Sequence, residues 1–388
     1  MKEIGISIYP DFDCIETIKE TIDIAKQSGY SIVFTSMQLA DLGFENTTLE
    51  IDARYEFLFN YCYERGMQIH ADINYRMLQY LGASPANLKP IYDLHIPVLR
   101  VDGGFSDEEI AQMTKNPFEI IIEENASMLS NPKKRVHTII QYGDITHYYA
   151  CHNFFPLNET GLSFEKALEL TKIFKDQGIR VGIFIGSLYS SKDLNSVGRG
   201  VVTIERHRYL PSHIQAMELF VQDEYDYVIF GDSHPSKKEI VRVSEVWKNN
   251  SLEKIQSKYN TKSIEGDIQN LYCIELPVWL NKDIDESLKK ELLSMVFLAR
   301  ADQPQKLIRC EQSRYMGYIE VNNTIKRNKF SITMNNCLSN RYMGELQIAL
   351  EDLAPVEYVN VIGQVKPYAK HLLEKIKGGK ALFVLKEE

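Results

Sequence analysis

Several features that would assign this sequence quickly are missing from it. Its six cysteines, at 14, 62, 151, 273, 310 and 337, form no CxxC pair, and most sit in apolar runs. That excludes zinc-site and disulfide-framework spacing and points to buried free thiols in a reducing compartment. No run approaches ~18 consecutive apolar residues, so no membrane span is expected. The N-terminus, MKEIGISIYP, lacks the apolar stretch of a signal peptide and reads as a first strand. Positive charge is scarce: 44 Lys and Arg against 53 Asp and Glu leave a formal net charge of −9. Without a global positive field, nucleic acid and anionic membrane are not expected partners, while a small local anion pocket remains compatible. A cytoplasmic location follows as the expectation. A Gly-rich phosphate turn after the first strand is also absent. Tyr9-Pro10-Asp11-Phe12 stands there instead, against an open dinucleotide-binding sheet.

What is present is a repeating βα pattern. The chain has 388 residues, 44% of them hydrophobic, enough for two packed domains. Apolar runs at 3–9, 30–36, 67–74, 97–103, 118–123, 147–155, 180–185 and 225–230 read as strands, separated by segments of helical pattern. Eight such units in roughly 250 residues is the count of a (β/α)8 TIM barrel. The expected organisation is a barrel over 1–240, a last helix and linker over 241–264, and a small β-rich domain, itself a barrel, over 265–388. In that domain 272–276, 296–301, 305–310, 317–321, 331–334, 345–349 and 357–362 are the strand candidates.

In such a barrel the chemistry lies where strands end. The organising stretch is 67–104, in which two successive strands finish on carboxylates, Asp72 and Asp102. Ser7, Tyr9, Ser36, Asn74, Asn125, His152, Asn153 and Asp232 stand at other strand ends, and the loop after strand 7 adds Thr203, Glu205, His207 and Arg208. Each has an ordinary structural reading: a strand-end Asp as a helix N-cap, His152 as a core histidine, Glu205 as a first-turn acid. Taken together, the rim suits glycoside hydrolysis, which needs two carboxyl groups and neighbours that hold a sugar. Metal-dependent hydrolysis or isomerisation is the rival, with His70, Asp72 and His152 as a thin ligand set. A non-enzymatic sugar-phosphate-binding protein is a further alternative. Schiff-base chemistry is excluded, because no barrel strand carries a Lys. The leading chemistry calls for no cofactor and no metal.

The residues also carry a resemblance. Gly5-Ile6-Ser7-Ile8-Tyr9, Ala71-Asp72-Ile73-Asn74, Leu99-Arg100-Val101-Asp102, Asn125-Ala126-Ser127, His152-Asn153-Phe154-Phe155-Pro156, Thr203-Ile204-Glu205-Arg206-His207-Arg208, Ala299-Arg300-Ala301-Asp302 and Ser339-Asn340-Arg341-Tyr342-Met343-Gly344-Glu345 resemble the MupG-like family of 6-phospho-N-acetylmuramidases along nearly the whole chain. The resemblance implies a barrel followed by a cyclophilin-like domain. It implies cleavage of the 6-phosphorylated N-acetylmuramyl–N-acetylglucosamine disaccharide in peptidoglycan recycling. The expected partners are that small phosphorylated sugar and, in a homo-oligomer, further copies of the chain. The sequence departs from the family pattern at Leu157-Asn158-Glu159 and at Val201-Val202, both in loops that would shape sugar subsites. On physical grounds Glu205 is the expected general acid and Asp72 or Asp102 its partner, with the substrate's acetamido group as another candidate nucleophile. Arg300 and Arg341, with Asn340 beside the latter, and Arg208 with Ser187, are candidates for holding phosphate and carboxylate groups.

Overall fold

Eight parallel strands close into a barrel: β1 (Glu3–Ser7), β2 (Ile32–Ser36), β3 (Gln68–Ile73), β4 (Val98–Val101), β5 (Ile121–Asn125), β6 (Tyr148–Cys151), β7 (Arg180–Ile185) and β8 (Tyr227–Phe230). The ring is sealed by β1 against β8, with Ile4 opposite Val228. This computed structural model describes residues 2–40, 53–189, 200–222, 224–261, 264, 270–302, 304–314 and 316–387. Residues 50–52 at the start of the expected second helix, and 265–269 at the expected start of the β-rich domain, lie outside them. The chain divides into two compact units, Met1–Ser244 and Glu245–Glu388.

Local sequence explains the connections. The helix Ile15–Ser28 buries Ile18, Ile22 and Ala25 and stops at Gly29, whose φ of 93° is a left-handed cap. The helix Asp107–Met113 opens on a capping box in which Ser106 and Glu109 bond each other's backbone N–H. Inside the barrel, Phe34, Phe154 and Phe184 meet edge to face with centroids 5.0–6.0 Å apart. Gly182, two residues before Phe184 on β7, has to be glycine: a Cβ there would lie 1.9 Å from the ring of Tyr227 on β8.

Register then does something unusual for a barrel interior, which is normally filled by branched apolar side chains. Ser36 pairs with Asp72, Asp72 with Arg100, and Arg100 with Glu123. Four polar residues thus form one row across β2–β5, all of them buried.

The second unit opens with the end of the helix Lys237–Trp247 and a helix Leu252–Lys258, in the segment expected as last helix and linker. Its seven strands are β9 (Cys273–Leu280), β10 (Phe297–Leu298), β11 (Leu307–Cys310), β12 (Ser331–Asn335), β13 (Leu346–Ala349), β14 (Val359–Val365) and β15 (Leu382–Glu387). They form a mixed sheet in the order β10-β15-β9-β14-β12-β13-β11, parallel only between β15 and β9. A backbone bond from Arg300 N–H to Arg309 O, 2.9 Å, nearly closes it by joining the chain beside β10 to β11. One expectation needs correction, and one element is new. Residues 317–321 are irregular, and a helix, Glu286–Ser294, follows β9 with Asp285 as its N-cap. No described helix is long and apolar enough to cross a membrane.

Candidate active site

Asp72 and Asp102 do come together, and the side chain that joins them is Arg100. Its Nη1 donates to Asp72 Oδ1 at 2.5 Å and to Asp102 Oδ1 at 3.4 Å. Because one nitrogen touches both, those oxygens are at most about 6 Å apart. Gln38 spans the pair from the other side: its Nε2 donates to Asp72 Oδ2 and, at 3.3 Å, to Asp102 Oδ2. Ser36 Oγ donates to Asp72 Oδ2 at 2.9 Å, and Asn125 Nδ2 to Asp102 Oδ1 at 2.9 Å. Asn125 is itself fixed, its Oδ1 accepting the Ser127 N–H at 3.0 Å. Asn153 joins through Arg100 Nη2, 3.4 Å from its Oδ1.

The two carboxyls are driven in opposite directions. Burial pushes Asp72 up, Arg100 only partly offsets this, and the neighbouring Asp102 charge adds to the rise. The Asp102 side chain is 28% exposed. Burial also raises it, but the Arg100 charge with the Asn125 and Gln38 bonds holds it below the usual carboxylate range. Two carboxyl groups a few ångströms apart with opposed shifts are what an acid and its ionised partner require.

Beneath them lies a second buried layer. Glu123 is 0% exposed. Its Oε2 accepts from the Tyr227 hydroxyl and lies 2.9 Å from His70 Nδ1. Burial would raise Glu123, and His70, Tyr227 and Arg100 together bring it below its ordinary value. Glu123 Oε1 and Arg100 Nε are 3.9 Å apart. Neither has a hydrogen-bond partner among the described residues, nor does His70 Nε2. The sequence does not single out Arg100, Gln38 or Glu123. Arg100 and Glu123 sit inside apolar strands, and only the register shows that they face each other.

The other expected residues are employed elsewhere. Glu205 does not have the setting of a general acid. Arg208 Nε and Nη2 donate to its two oxygens at 2.7 and 2.6 Å, and the Glu159 and Gly161 N–H groups donate at 2.9 and 2.8 Å. The Arg208 bonds, with those backbone donors, hold Glu205 down to about 2, so it stays ionised. Arg208 spends its remaining Nη1 on the Phe155 and Gly200 carbonyls, so this pair ties the loop after β6 to the loop after β7. A Cβ on Gly161 would lie 2.7 Å from Glu205 Oε2, which explains the glycine. Asp232 accepts the Ser187 and Val201 N–H groups at 2.7 and 3.0 Å, again between loops. Ser7 Oγ and Tyr9 OH donate to the carbonyls of Phe230 and Gly231, closing the barrel seam. Asn74 caps the helix Tyr75–Tyr80 by accepting the Met77 N–H at 2.8 Å.

His152 is a core histidine. It is fully buried, with Nδ1 3.0 Å from Ser127 Oγ and Nε2 2.8 Å from Thr171 Oγ1, and burial pushes it down to about 3. His70 Nδ1 faces Glu123. Among the described residues no three His, Cys, Asp or Glu side chains group as metal ligands. Arg300, Asn340 and Arg341 belong to the second unit. There Arg300 pairs with Asp302 through two bonds of 2.7 and 2.8 Å and also contacts Glu311. A cavity of about 640 Å³ in that unit, lined by Asp283, Glu291, Tyr318 and Asn360 among others, contains none of the expected site residues.

Comparison with known proteins places the fold and the family. An uncharacterized B. cereus protein superposes with a TM-score of 0.80 at 24% identity, over 100% of this chain and 99% of its own. A conserved Enterococcus faecalis protein of unknown function gives 0.72 at 24% identity, over 100% and 96%. Both are likenesses of fold. A search of curated proteins found no match. Two family models do match. One, described as 6-phospho-N-acetylmuramidase, N-terminal, covers residues 4–245, and its C-terminal counterpart covers 274–385. On that coverage the chain belongs to the 6-phospho-N-acetylmuramidase family.

Proposed function

We propose that this protein is a glycoside hydrolase that cleaves 6-phospho-N-acetylmuramyl-N-acetylglucosamine, with Asp72 as proton donor and Asp102 as its ionised partner. The observation that carries the reading is the Arg100 clasp, two carboxyls bound to one nitrogen with opposed protonation preferences. Asp72 gives its proton to the departing glycosidic oxygen. Asp102 attacks the anomeric carbon, and water deprotonated by the Asp72 carboxylate then releases the sugar. A separation of at most about 6 Å is compatible with the ~5–5.5 Å of retaining enzymes and falls short of the ~6.5–9.5 Å of inverting ones. Arg100 holds both oxygens in line and keeps Asp102 ionised. Asn125, Ser36 and Gln38 fix the rotamers.

Peptidoglycan recycling in the cytoplasm is the setting that fits a small phosphorylated substrate and this family. The test is release of reducing sugar from the 6-phosphorylated and the unphosphorylated disaccharide by wild type, Asp72→Asn and Asp102→Asn. We expect cleavage of the phosphorylated sugar and a loss of ~10²–10⁴-fold or more in either variant. Full activity in both variants, or cleavage of the unphosphorylated sugar alone, would overturn the proposal.

A further inference from the structure

In the second unit, a cluster of guanidinium groups gathers on one phenol ring. Arg309, Arg314 and Arg341 lie 6.0, 4.9 and 4.8 Å from the centroid of Tyr342. On a chain of net charge −9 this is a local reversal of sign. Much of it is offset from below. Glu345, wholly buried, takes Arg309 at 2.7 and 3.0 Å and Arg314 at 3.0 Å. Glu311 lies 3.4 Å from Arg314. Arg341 is different: it is exposed, and its hydrogen bond, 2.6 Å, goes to the Tyr342 hydroxyl rather than to a carboxylate. Among the described residues no carboxylate pairs with it. Like charges held this close repel, and an anion relieves that.

The backbone holds the group in place. Asn340 has φ 52° and ψ −121°, a conformation that suits glycine and costs an ordinary residue ~1–3 kcal/mol. Gly344, at φ 80°, leaves room for the Ser313 carbonyl, which a Cβ would meet at 2.5 Å. The 337–344 segment is therefore pressed against the turn that carries Arg314, at the place where Arg300 N–H and Arg309 O nearly close the sheet. Strain of this kind persists where the surroundings over-determine it, and such positions cluster at ligand clamps.

We infer that Arg341, with Arg309 and Arg314 around Tyr342, is a subsite in the second unit for the oxyanion of a sugar acid, either a phosphomonoester or a carboxylate. Guanidinium forks match either group, and the rigid phenol fixes their spacing. That a sugar carries the anion rests on the function proposed above, whereas the preference for an anion rests on the arginines alone.

The test is calorimetric titration of the full chain with glucosamine 6-phosphate, glucosamine and D-lactate, for wild type, Arg341→Gln, Arg341→Lys and Asp102→Asn. The expected result is binding of the phosphorylated sugar and not of glucosamine. Arg341→Gln weakens it about tenfold or more, Arg341→Lys weakens it less, and Asp102→Asn leaves it unchanged. Binding confined to lactate, with the same dependence on Arg341, identifies a carboxylate as the anion and supports the subsite. Equal binding of both sugars, or Arg341→Gln binding as wild type does, overturns it. The two proposals fail separately. Arg341-dependent binding without cleavage leaves the subsite standing, and cleavage of the disaccharide by a chain whose Arg341→Gln variant binds glucosamine 6-phosphate as wild type does removes the subsite alone.

Discussion

Replacing Arg100 with Met is the most revealing single change to the barrel. The guanidinium is 2% exposed and touches Asp72 at 2.5 Å, Asp102 at 3.4 Å and Asn153 at 3.4 Å, with Glu123 3.9 Å away. Met fills similar volume but leaves three carboxyls around a core with no arginine. Breaking a buried ion pair by removing one partner costs ~3–5 kcal/mol, a large part of a domain's ~5–15. Activity falls for two separate reasons. The carboxyls lose their common anchor, and a misplacement of about 1 Å alone costs ~10²-fold. Asp102 also loses the charge that holds its folded value low, so it rises.

A carboxyl lowered in the folded state adds stability above its unfolded value, and that stability is lost as pH falls through the folded one. Arg100→Met removes this contribution, so its stability deficit is widest near neutrality and narrows in acid. Urea unfolding at several pH values measures the deficit, and the pH profile of kcat/KM measures the acidic limb, which should move upward. Arg100→Lys, keeping a charge without the fork, should recover stability more than rate. A Met variant with wild-type kcat/KM and an unmoved acidic limb would refute the clasp.

Glu205→Gln separates an anchor from an acid: stability at neutral pH should fall by ~1–3 kcal/mol, with kcat reduced far less than the ~10²–10⁴ expected of a lost acid. Glu205 is held low, so that deficit should be full above pH 4.5 and shrink toward pH 2. Glu124 faces out of the barrel toward Arg135, 2.9 Å away, and burial raises it to about 7. A raised carboxyl contributes stability below its unfolded value and loses it as pH climbs through the folded one. Thermal unfolding should therefore show Glu124→Gln gaining on wild type, on the order of 3 kcal/mol, between pH 5 and 8. Proton NMR of the first-formed sugar should show the substrate's own anomeric configuration, and the opposite anomer would contradict the short carboxyl separation.

Much of the barrel was legible because its strands are apolar runs separated by helical periods, and a closed parallel ring needs little else. The fifth strand is displaced: the sequence suggests 118–123, and the structure forms Ile121–Asn125. Phe118-Glu119 belongs to a turn, with Glu119 at φ 56°, which local hydrophobicity does not reveal. Glu123 falls in both ranges, and it is the register with β4 that sets it beside Arg100. Asp72 and Asp102 were visible as strand-end carboxylates. Their clasp was not, since Arg100 lies between Leu99 and Val101 and its partners are set by register across strands. Glu205 and Arg208 look like chemistry in sequence because nothing there shows the Glu159 and Gly161 N–H groups that meet the carboxylate. In the second unit, LFVLKE at the chain's end supplies β15, which pairs with β9 more than a hundred residues earlier, a partnership no local pattern encodes.

The most direct test of the central claim is chemical rescue of Asp102→Ala with azide on the 6-phosphorylated disaccharide. If Asp102 is the partner that meets the anomeric carbon while Asp72 protonates the leaving group, the variant alone is nearly inert. Millimolar azide then restores bond cleavage and yields a glycosyl azide of inverted configuration. Near wild-type cleavage by Asp102→Ala, or an inert variant that azide leaves inert and that forms no glycosyl azide, would contradict the account.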